Sequence, residues 1–130
     1  MKNLLLVEDS KLIAIAAERL LTKAGFTVTL AKDGEEALKR AREGLPEVIL
    51  LDMMLPKLSG EQVLLELKSD SKTAHIPVVI LSSLSQQNEE KLKEAGAAAY
   101  VEKAKLLEGG NPAKLAQLVE AVIRESKAKG

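Results

Sequence analysis

The stretch Val48-Ile49-Leu50-Leu51-Asp52 decides the fold of this chain, because four consecutive apolar residues end in a carboxylate. A continuous apolar run of this length is typical of a strand buried on both faces, as in the centre of a parallel sheet. Ligands of open α/β sheets bind at the carboxyl ends of the strands, which is where Asp52 stands. Considered alone, Asp52 is explained equally well as a ligand-binding residue or as an aspartate that opens the following turn.

Similar apolar runs alternate with stretches of helical periodicity along the whole chain. We predict strands over residues 3–7, 27–31, 47–51, 78–81 and 98–101, and helices between them. Five such strand–helix repeats predict an α/β fold in which helices cover both faces of a parallel sheet. The first helix begins after Ser10, the second covers residues 34–43, and the last begins at Pro112.

Four features stand outside this regular pattern. The first helix has one apolar stripe that we expect to face the sheet, formed by Ile13, Ala16, Ala17, Leu20, Leu21 and Ala24. Ile15 lies opposite this stripe, which fits either an isolated exposed side chain or a partner contact. The fourth helix, residues 87–95, carries only Leu92 and Ala95 as apolar residues, so we expect it to be weakly held. We expect residues 69–76 to form a surface loop and residues 126–130 to be frayed.

Composition excludes several classes of function. The 130 residues fit one domain, and 19 basic against 19 acidic residues leave no net charge to attract nucleic acid or an anionic membrane. There is no cysteine, and His75 is the single histidine, which argues against a zinc centre. The short run after Met1 is too brief for a signal peptide or a spanning helix, so we expect a soluble, cytoplasmic protein.

Five functional side chains fall at equivalent strand ends: Glu8, Asp9, Asp52, Ser82 and Lys103. Each of these residues alone could have an ordinary structural role. The carboxyl ends of parallel strands meet at one edge of the sheet, however, so we expect these five groups to lie together. Three clustered carboxylates repel one another unless a cation joins them, and oxygen ligands suit Mg²⁺. With a lysine and a hydroxyl opposite, the site is suited to accepting a phosphoryl group on Asp52.

These residues resemble the receiver domain of two-component response regulators, and the chain is similar to the single-domain chemotaxis regulators. The resemblance covers essentially residues 1–130 as one receiver domain. Pro56 and Gly60 follow Asp52 at offsets of four and eight, Ser82 follows it by 30, and Tyr100 precedes Lys103 by 3. The resemblance implies a flavodoxin-like (βα)5 doubly wound five-stranded parallel sheet of strand order 2-1-3-4-5.

The resemblance also implies a mechanism and partners. Asp52 would be phosphorylated by a sensor histidine kinase or phosphotransfer protein, with Mg²⁺ held by Glu8, Asp9, Asp52 and the Met54 carbonyl. Ser82 and Lys103 would assist, and Ser82 would couple to Tyr100 in a switch. The fourth helix, fifth strand and fifth helix would form the surface for a downstream output protein. Such a domain catalyses only its own phosphorylation and dephosphorylation, and is a monomer or a phosphorylation-dependent dimer.

The chain departs from the family after the lysine, where Ala104 replaces the usual proline. A cis bond without proline costs about 2.5–4 kcal/mol, so we expect a trans Lys103–Ala104 bond and a rebuilt loop over residues 104–111. Met54 and Leu84 are apolar at the second positions after Asp52 and Ser82. We expect them to hinder attack by water and to give a long-lived acyl phosphate.

Other functions fit the residues less well. Flavin binding needs a hydroxyl- and glycine-rich loop where Glu8 and Asp9 would repel a phosphate, and an aspartyl phosphatase would want an acid at Met54. DNA binding is not expected, because no separate basic module follows the last helix. A receiver-like interaction module that is never phosphorylated remains an alternative.

Overall fold

The computed structural model describes residues 2–82, 89–103 and 113–129. Within these ranges, five strands and five helices alternate. The strands are β1 (Lys2–Val7), β2 (Phe26–Ala31), β3 (Val48–Asp52), β4 (Val78–Ser82) and β5 (Ala99–Glu102). The helices are α1 (Lys11–Lys23), α2 (Gly34–Gly44), α3 (Gly60–Ser69), α4 (Glu89–Glu94) and α5 (Ala113–Lys129).

All strand pairs are parallel, and the sheet order is β2-β1-β3-β4-β5. This order confirms the doubly wound, flavodoxin-like sheet that the family resemblance implies. In the register, Val7 pairs with Leu51, Leu51 with Ile80, and Ile80 with Tyr100. The carboxyl ends of β1, β3, β4 and β5 therefore lie side by side at one edge of the sheet.

The sheet has a core on each face because successive strand residues point to opposite sides. On one face, Leu5, Ile49, Leu51 and Ile80 pack with the inner sides of α2 and α3. On the other face, Leu4, Leu6, Leu50 and Leu81 pack with α1 and α5. Every residue of β3 and β4 is buried, which places Asp52 at the end of a rigid central strand.

Polar side chains define where three helices begin. Ser10 accepts a hydrogen bond from the Ile13 N–H, and Asp33 accepts one from the Glu36 N–H at 2.9 Å. Ser59 and Gln62 form a reciprocal capping box at the start of α3. At the end of α1, Gly25 has a φ of 98°, a left-handed conformation that glycine adopts without strain.

Several boundaries differ from the predicted ones. β3 and β4 end at Asp52 and Ser82, one residue beyond the predicted ranges 47–51 and 78–81, so each functional side chain belongs to the last residue of a strand. The segment before β4 is not a simple surface loop, because Thr73 and Ile76 are buried. Most of the predicted frayed tail belongs to α5, which continues to Lys129.

Two predictions for side chains of α1 have different outcomes. Ile15 is 49% exposed, as the helical periodicity predicts. Ala24 was expected to face the sheet but is exposed, because it caps the end of α1.

Some predictions fall outside the described residues. They concern the start of the predicted fourth helix, Leu84, Pro112, and the 104–111 loop with the Lys103–Ala104 bond. Within the described ranges, no helix is long and apolar enough to cross a membrane.

Candidate functional site

Three carboxylates meet at the carboxyl edge of the sheet. Glu8 and Asp9 follow β1, and Asp52 ends the neighbouring β3. One oxygen from each lies within 4.8 Å of the others. Glu8 and Asp52 are each 1% exposed, whereas Asp9 is exposed. The structure thus brings together the acidic cluster that the strand ends predict, with one side open to solvent.

Lys103 joins the two buried acids. Its Nζ lies 2.8 Å from Oδ1 of Asp52 and 3.0 Å from Oε1 of Glu8. Its backbone N–H donates to the Ser82 carbonyl at 2.8 Å, which ties the lysine to the end of β4. Lys103 therefore reaches the cluster in the described residues, despite the alanine that follows it in the sequence.

The two oxygens of Asp52 have different surroundings. Oδ1 accepts hydrogen bonds from the Met54 N–H at 3.1 Å and contacts Lys103. Oδ2 is buried and has no hydrogen-bond partner among the described residues. The bond from residue i+2 is the turn-opening geometry considered for an aspartate at this position, so Asp52 both opens the turn and faces the acidic cluster.

Burial and ion pairing set the ionisation of the other two groups. Burial raises the pKa of Glu8 above its ordinary value, although the Ser10 N–H and Lys103 partly oppose this. Burial lowers the pKa of Lys103, but hydrogen bonds to Asp52 and Glu8 outweigh it and hold the pKa above its ordinary value. Lys103 is therefore firmly cationic, and the cluster carries a built-in positive charge.

The remaining predicted residues lie around this cluster. Ser82 is 5% exposed at the end of β4, beside Lys103. Tyr100 is half-buried on β5 and packs against the core on the α2 and α3 side. The Met54 side chain is 69% exposed. His75, which was given no role, is exposed and uses its carbonyl to accept a hydrogen bond from Ser126.

Backbone groups were missed by sequence reasoning. The Ser10 N–H donates to Oε2 of Glu8 at 3.1 Å, as the Met54 N–H does to Asp52. In both places the acid accepts from the residue two positions later. Aspartate and glutamate at the start of a turn could have signalled these bonds.

The donor set fits a hard divalent cation. The cluster offers only carboxylate oxygens, which suit Mg²⁺ rather than zinc. The buried, unpartnered Oδ2 of Asp52 is also costly unless a ligand satisfies it. Glu8, Asp9 and Asp52 therefore have the chemistry of a magnesium site.

The fold and the site define a flavodoxin-like domain with an acidic, lysine-bridged centre. Residues 4–110 match the family model described as the response regulator receiver domain. The chain belongs to this family. Receiver domains are regulatory parts of two-component signalling and not enzymes in the ordinary sense.

Curated relatives agree with this assignment. The chain is 35% identical over 103 residues to the polar-differentiation response regulator DivK of Brucella anthropi, covering 78% of this chain and 84% of the relative. The DivK protein of Brucella ovis matches with the same identity and coverage.

Solved structures agree as well. A CheY-like receiver domain from Methanospirillum hungatei, 22% identical, has a TM-score of 0.85 over 100% of this chain and 99% of its own, and supports the fold. The receiver domain of a sensor histidine kinase from Pseudomonas aeruginosa is 27% identical, with a TM-score of 0.81 over 94% of this chain and 97% of its own. That structure holds a magnesium ion coordinated in its active site cleft.

Proposed function

We propose that Asp52 accepts a phosphoryl group from a sensor histidine kinase or a phosphotransfer protein in a reaction that requires Mg²⁺. The observation that carries this proposal is the asymmetry of the Asp52 carboxylate. Lys103 contacts one oxygen, and the other is buried without a hydrogen-bond partner in the described residues. One oxygen of this carboxylate also lies within 4.8 Å of oxygens of Glu8 and Asp9.

An oxygen of Asp52 attacks the phosphorus atom of the donor in line with the leaving group. A bond forms between this oxygen and phosphorus, the bond from phosphorus to the donor nitrogen breaks, and its electron pair returns to the donor imidazole. Lys103 and Ser82 then bind oxygens of the transferred group. Mg²⁺, when held by Glu8, Asp9, Asp52 and the Met54 carbonyl, supplies positive charge that stabilises the phosphoryl oxygens.

The domain catalyses only its own phosphorylation and the hydrolysis of the resulting acyl phosphate. The transferred phosphoryl group ends on Asp52 itself, so the domain does not turn over a separate substrate. The domain spans residues 1–130 and works in the cytoplasm, as a monomer or as a dimer formed on phosphorylation.

The output is a change at the surface formed by α4, β5 and α5. Ser82 moves toward the phosphoryl group, and Tyr100 turns inward behind it. Support comes from the limited burial of this region, because the described part of α4 has six residues and all four residues of β5 are half-buried. A few kcal/mol suffice to shift such an element between two positions. A downstream protein would recognise the shifted surface.

The phosphoryl donor would dock beside the site on α1. Leu12 and Ile15 are 66% and 49% exposed and lie one turn apart on this helix. Because α1 begins two residues after Asp9, its first turns lie at the edge of the sheet that carries Asp52. This position favours the partner-contact interpretation of Ile15 over that of an isolated exposed side chain.

Exposure of the protein to a small phosphodonor, followed by intact mass measurement, tests the proposal. We expect a gain of one phosphoryl group that needs Mg²⁺ and disappears in Asp52→Ala. The matched control is Asp70→Ala, which removes an aspartate from the far end of α3 and should leave the gain intact. No gain with any donor, kinases included, would instead support the unphosphorylated interaction module.

A further inference from the structure

The start of α2 packs directly on the loop that follows the phosphoacceptor. This β3–α3 loop covers residues 53–59, between Asp52 and the first residue of α3. The contacts involve Asp33, Gly34 and Glu35 on one side and residues 56–58 on the other. Neither segment is near the other in sequence, so only the fold brings them together.

Gly34 makes the closest contact. A Cβ at this position would lie 2.5 Å from Cβ of Leu58 and 2.9 Å from the Leu58 backbone oxygen. Cγ2 of Val63 would also be 2.9 Å away. The Gly34 N–H points at the Pro56 carbonyl, 3.5 Å distant. The absent side chain is therefore what lets the loop lie against the helix, because a methyl group would have to displace loop backbone.

Ion pairs of Lys57 stabilise the same contact between the β3–α3 loop and the start of α2. It has a φ of 69°, in the left-handed region that side-chain-bearing residues rarely adopt. In that conformation its Nζ lies 3.6 Å from Oδ2 of Asp33 and 3.7 Å from Oε2 of Glu35. The two acids flank Gly34, so the ion pairs and the close packing converge on one place.

The loop held in this way also carries the backbone that orients Asp52. The Met54 N–H donates to Oδ1 of Asp52 at 3.1 Å, and the Gly60 N–H donates to the Met53 carbonyl at 3.0 Å. A displacement of the loop would move the Met54 N–H and its carbonyl. The orientation of the carboxylate would change with them.

We propose that Gly34 and Lys57 are positioning residues for phosphoryl transfer, which fix the β3–α3 loop and through Met54 the Asp52 carboxylate. The proposal rests on the proposed function of Asp52 as phosphoacceptor. Neither residue touches the phosphoryl group. They act by keeping the reacting oxygen in a productive geometry, and an error of about 1 Å can cost roughly a hundredfold in rate.

The first test compares Gly34→Ala with Gly44→Ala. Both add a methyl group to α2, but a Cβ on Gly44 meets no atom within 4 Å. At saturating Mg²⁺ and fixed small phosphodonor, we expect Gly34→Ala to slow phosphorylation about tenfold or more. The amide NMR signal of Met54 should shift, and the Mg²⁺ dissociation constant should rise. Gly44→Ala should match the wild type in all three measurements.

Lys57→Glu tests the contact without filling space, in case Gly34→Ala does not fold. The side chain of Lys57 is 57% exposed, so its replacement should be tolerated in the folded state. Reversed charge opposite Asp33 and Glu35 should slow phosphorylation about two- to fivefold, as expected for exposed ion pairs. Lys39→Glu makes the same charge change at an exposed site in the middle of α2 and should have no effect.

A folded Gly34→Ala with an unchanged rate would overturn the proposal, whether or not the Met54 signal moves. Equal slowing in Gly44→Ala, or no slowing in Lys57→Glu, would also contradict it. If the wild type accepts no phosphoryl group, the proposed function fails separately. In that case the Met54 signal and the Mg²⁺ affinity still decide whether Gly34 positions the carboxylate.

Discussion

The ammonium group of Lys103 lies 2.8 Å from Oδ1 of Asp52, and the side chain of the lysine is only 13% exposed. The same group contacts Glu8 at 3.0 Å, so one cation bridges two buried acids. This arrangement offsets the repulsion between the two carboxylates. It also means that a metal ion bound to the cluster shares its negative charge with Lys103.

Replacement of Lys103 by methionine should therefore change metal binding and catalysis in opposite directions. Without the competing ammonium, Mg²⁺ should bind at least about threefold more tightly, since a positive charge close to the metal site is removed. Phosphoryl transfer should slow about a hundredfold or more, as when one transition-state donor is lost. Calorimetric titration with Mg²⁺ and the rate with a small phosphodonor measure the two effects.

Lys39→Met is the matched control, because this lysine is exposed on α2. It should alter neither quantity. Weaker Mg²⁺ binding in Lys103→Met would contradict the idea that lysine and metal share the charge of the cluster.

Metal binding should also appear as thermal stabilisation that depends on Asp9. Magnesium at a hundred times its dissociation constant should stabilise the wild type by about 2.7 kcal/mol. Asp9→Asn removes an exposed carboxylate of the proposed metal site, so stability without metal should stay the same or rise as repulsion falls. Thermal unfolding with and without Mg²⁺ measures both.

Glu43→Gln serves as the control for Asp9→Asn. It removes an exposed acid near the end of α2, outside the cluster, and should keep the full Mg²⁺ effect. If Asp9→Asn responds to Mg²⁺ as strongly as the wild type, Asp9 is not a ligand.

The sequence predicts the sheet and the acidic edge because both follow from local patterns. Runs such as Val48–Asp52 are apolar enough to be central strands, and parallel strands must end at one edge. The partners of Lys103 were only partly predictable. The sequence places it near Asp52, but the simultaneous contact with Glu8 depends on how far its side chain reaches across β3 and β4.

Long-range contacts explain what the sequence does not predict. The end of α5 was expected to fray, but Ser126 donates to the His75 carbonyl at 3.2 Å and Lys127 lies 3.9 Å from Glu47. Contacts of this kind join residues that are far apart in the chain, so no local sequence pattern predicts them. The packing of Gly34 on Leu58 has the same origin.

Replacement of Gly60 by alanine should destabilise the fold, because an added methyl group would meet backbone atoms directly. A Cβ on Gly60 would collide with the Asp52 carbonyl and lie 2.6 Å from Cα of Met53, both of them backbone atoms. Gly60→Ala should lower the free energy of unfolding by about 1–3 kcal/mol, the usual cost of overpacking. Gly44→Ala should instead be neutral or stabilise by up to about 1 kcal/mol. Urea unfolding compares them, and equal stabilities would contradict the prediction.

Acid should weaken the contact between α2 and the end of α3 through Asp70. The Lys72 N–H, and after it the Arg42 side chain, lower the pKa of Asp70 below its ordinary value of 3.8. A group with a lowered pKa stabilises the folded state above its unfolded-state value, and this contribution disappears as the pH falls through the folded-state value. The wild type should therefore be more stable than Asp70→Asn at pH values well above 3.8.

The thermal midpoints of wild type and Asp70→Asn should converge as the pH falls below 3.8. Glu90→Gln, at an exposed position on α4, supplies a control in which an acid is lost without these contacts. A midpoint difference between wild type and Asp70→Asn that stays constant down to strongly acidic pH would exclude this contribution.

The lifetime of the acyl phosphate should depend on the apolar residues two positions after Asp52 and Ser82. Met54 is 69% exposed beside the carboxylate that its own N–H contacts, so its side chain is free to cover a phosphoryl group on Asp52 from the solvent side. Asparagine at Met54 would bind a water molecule there instead, and with asparagine at Leu84 as well we expect hydrolysis to be severalfold faster. Decay of the acyl phosphate after removal of the donor, followed by intact mass, measures the lifetime. Leu65→Asn, which replaces an exposed leucine on α3, should leave it unchanged. A lifetime that is equal or longer in the double variant would show that these side chains do not shield the phosphoryl group.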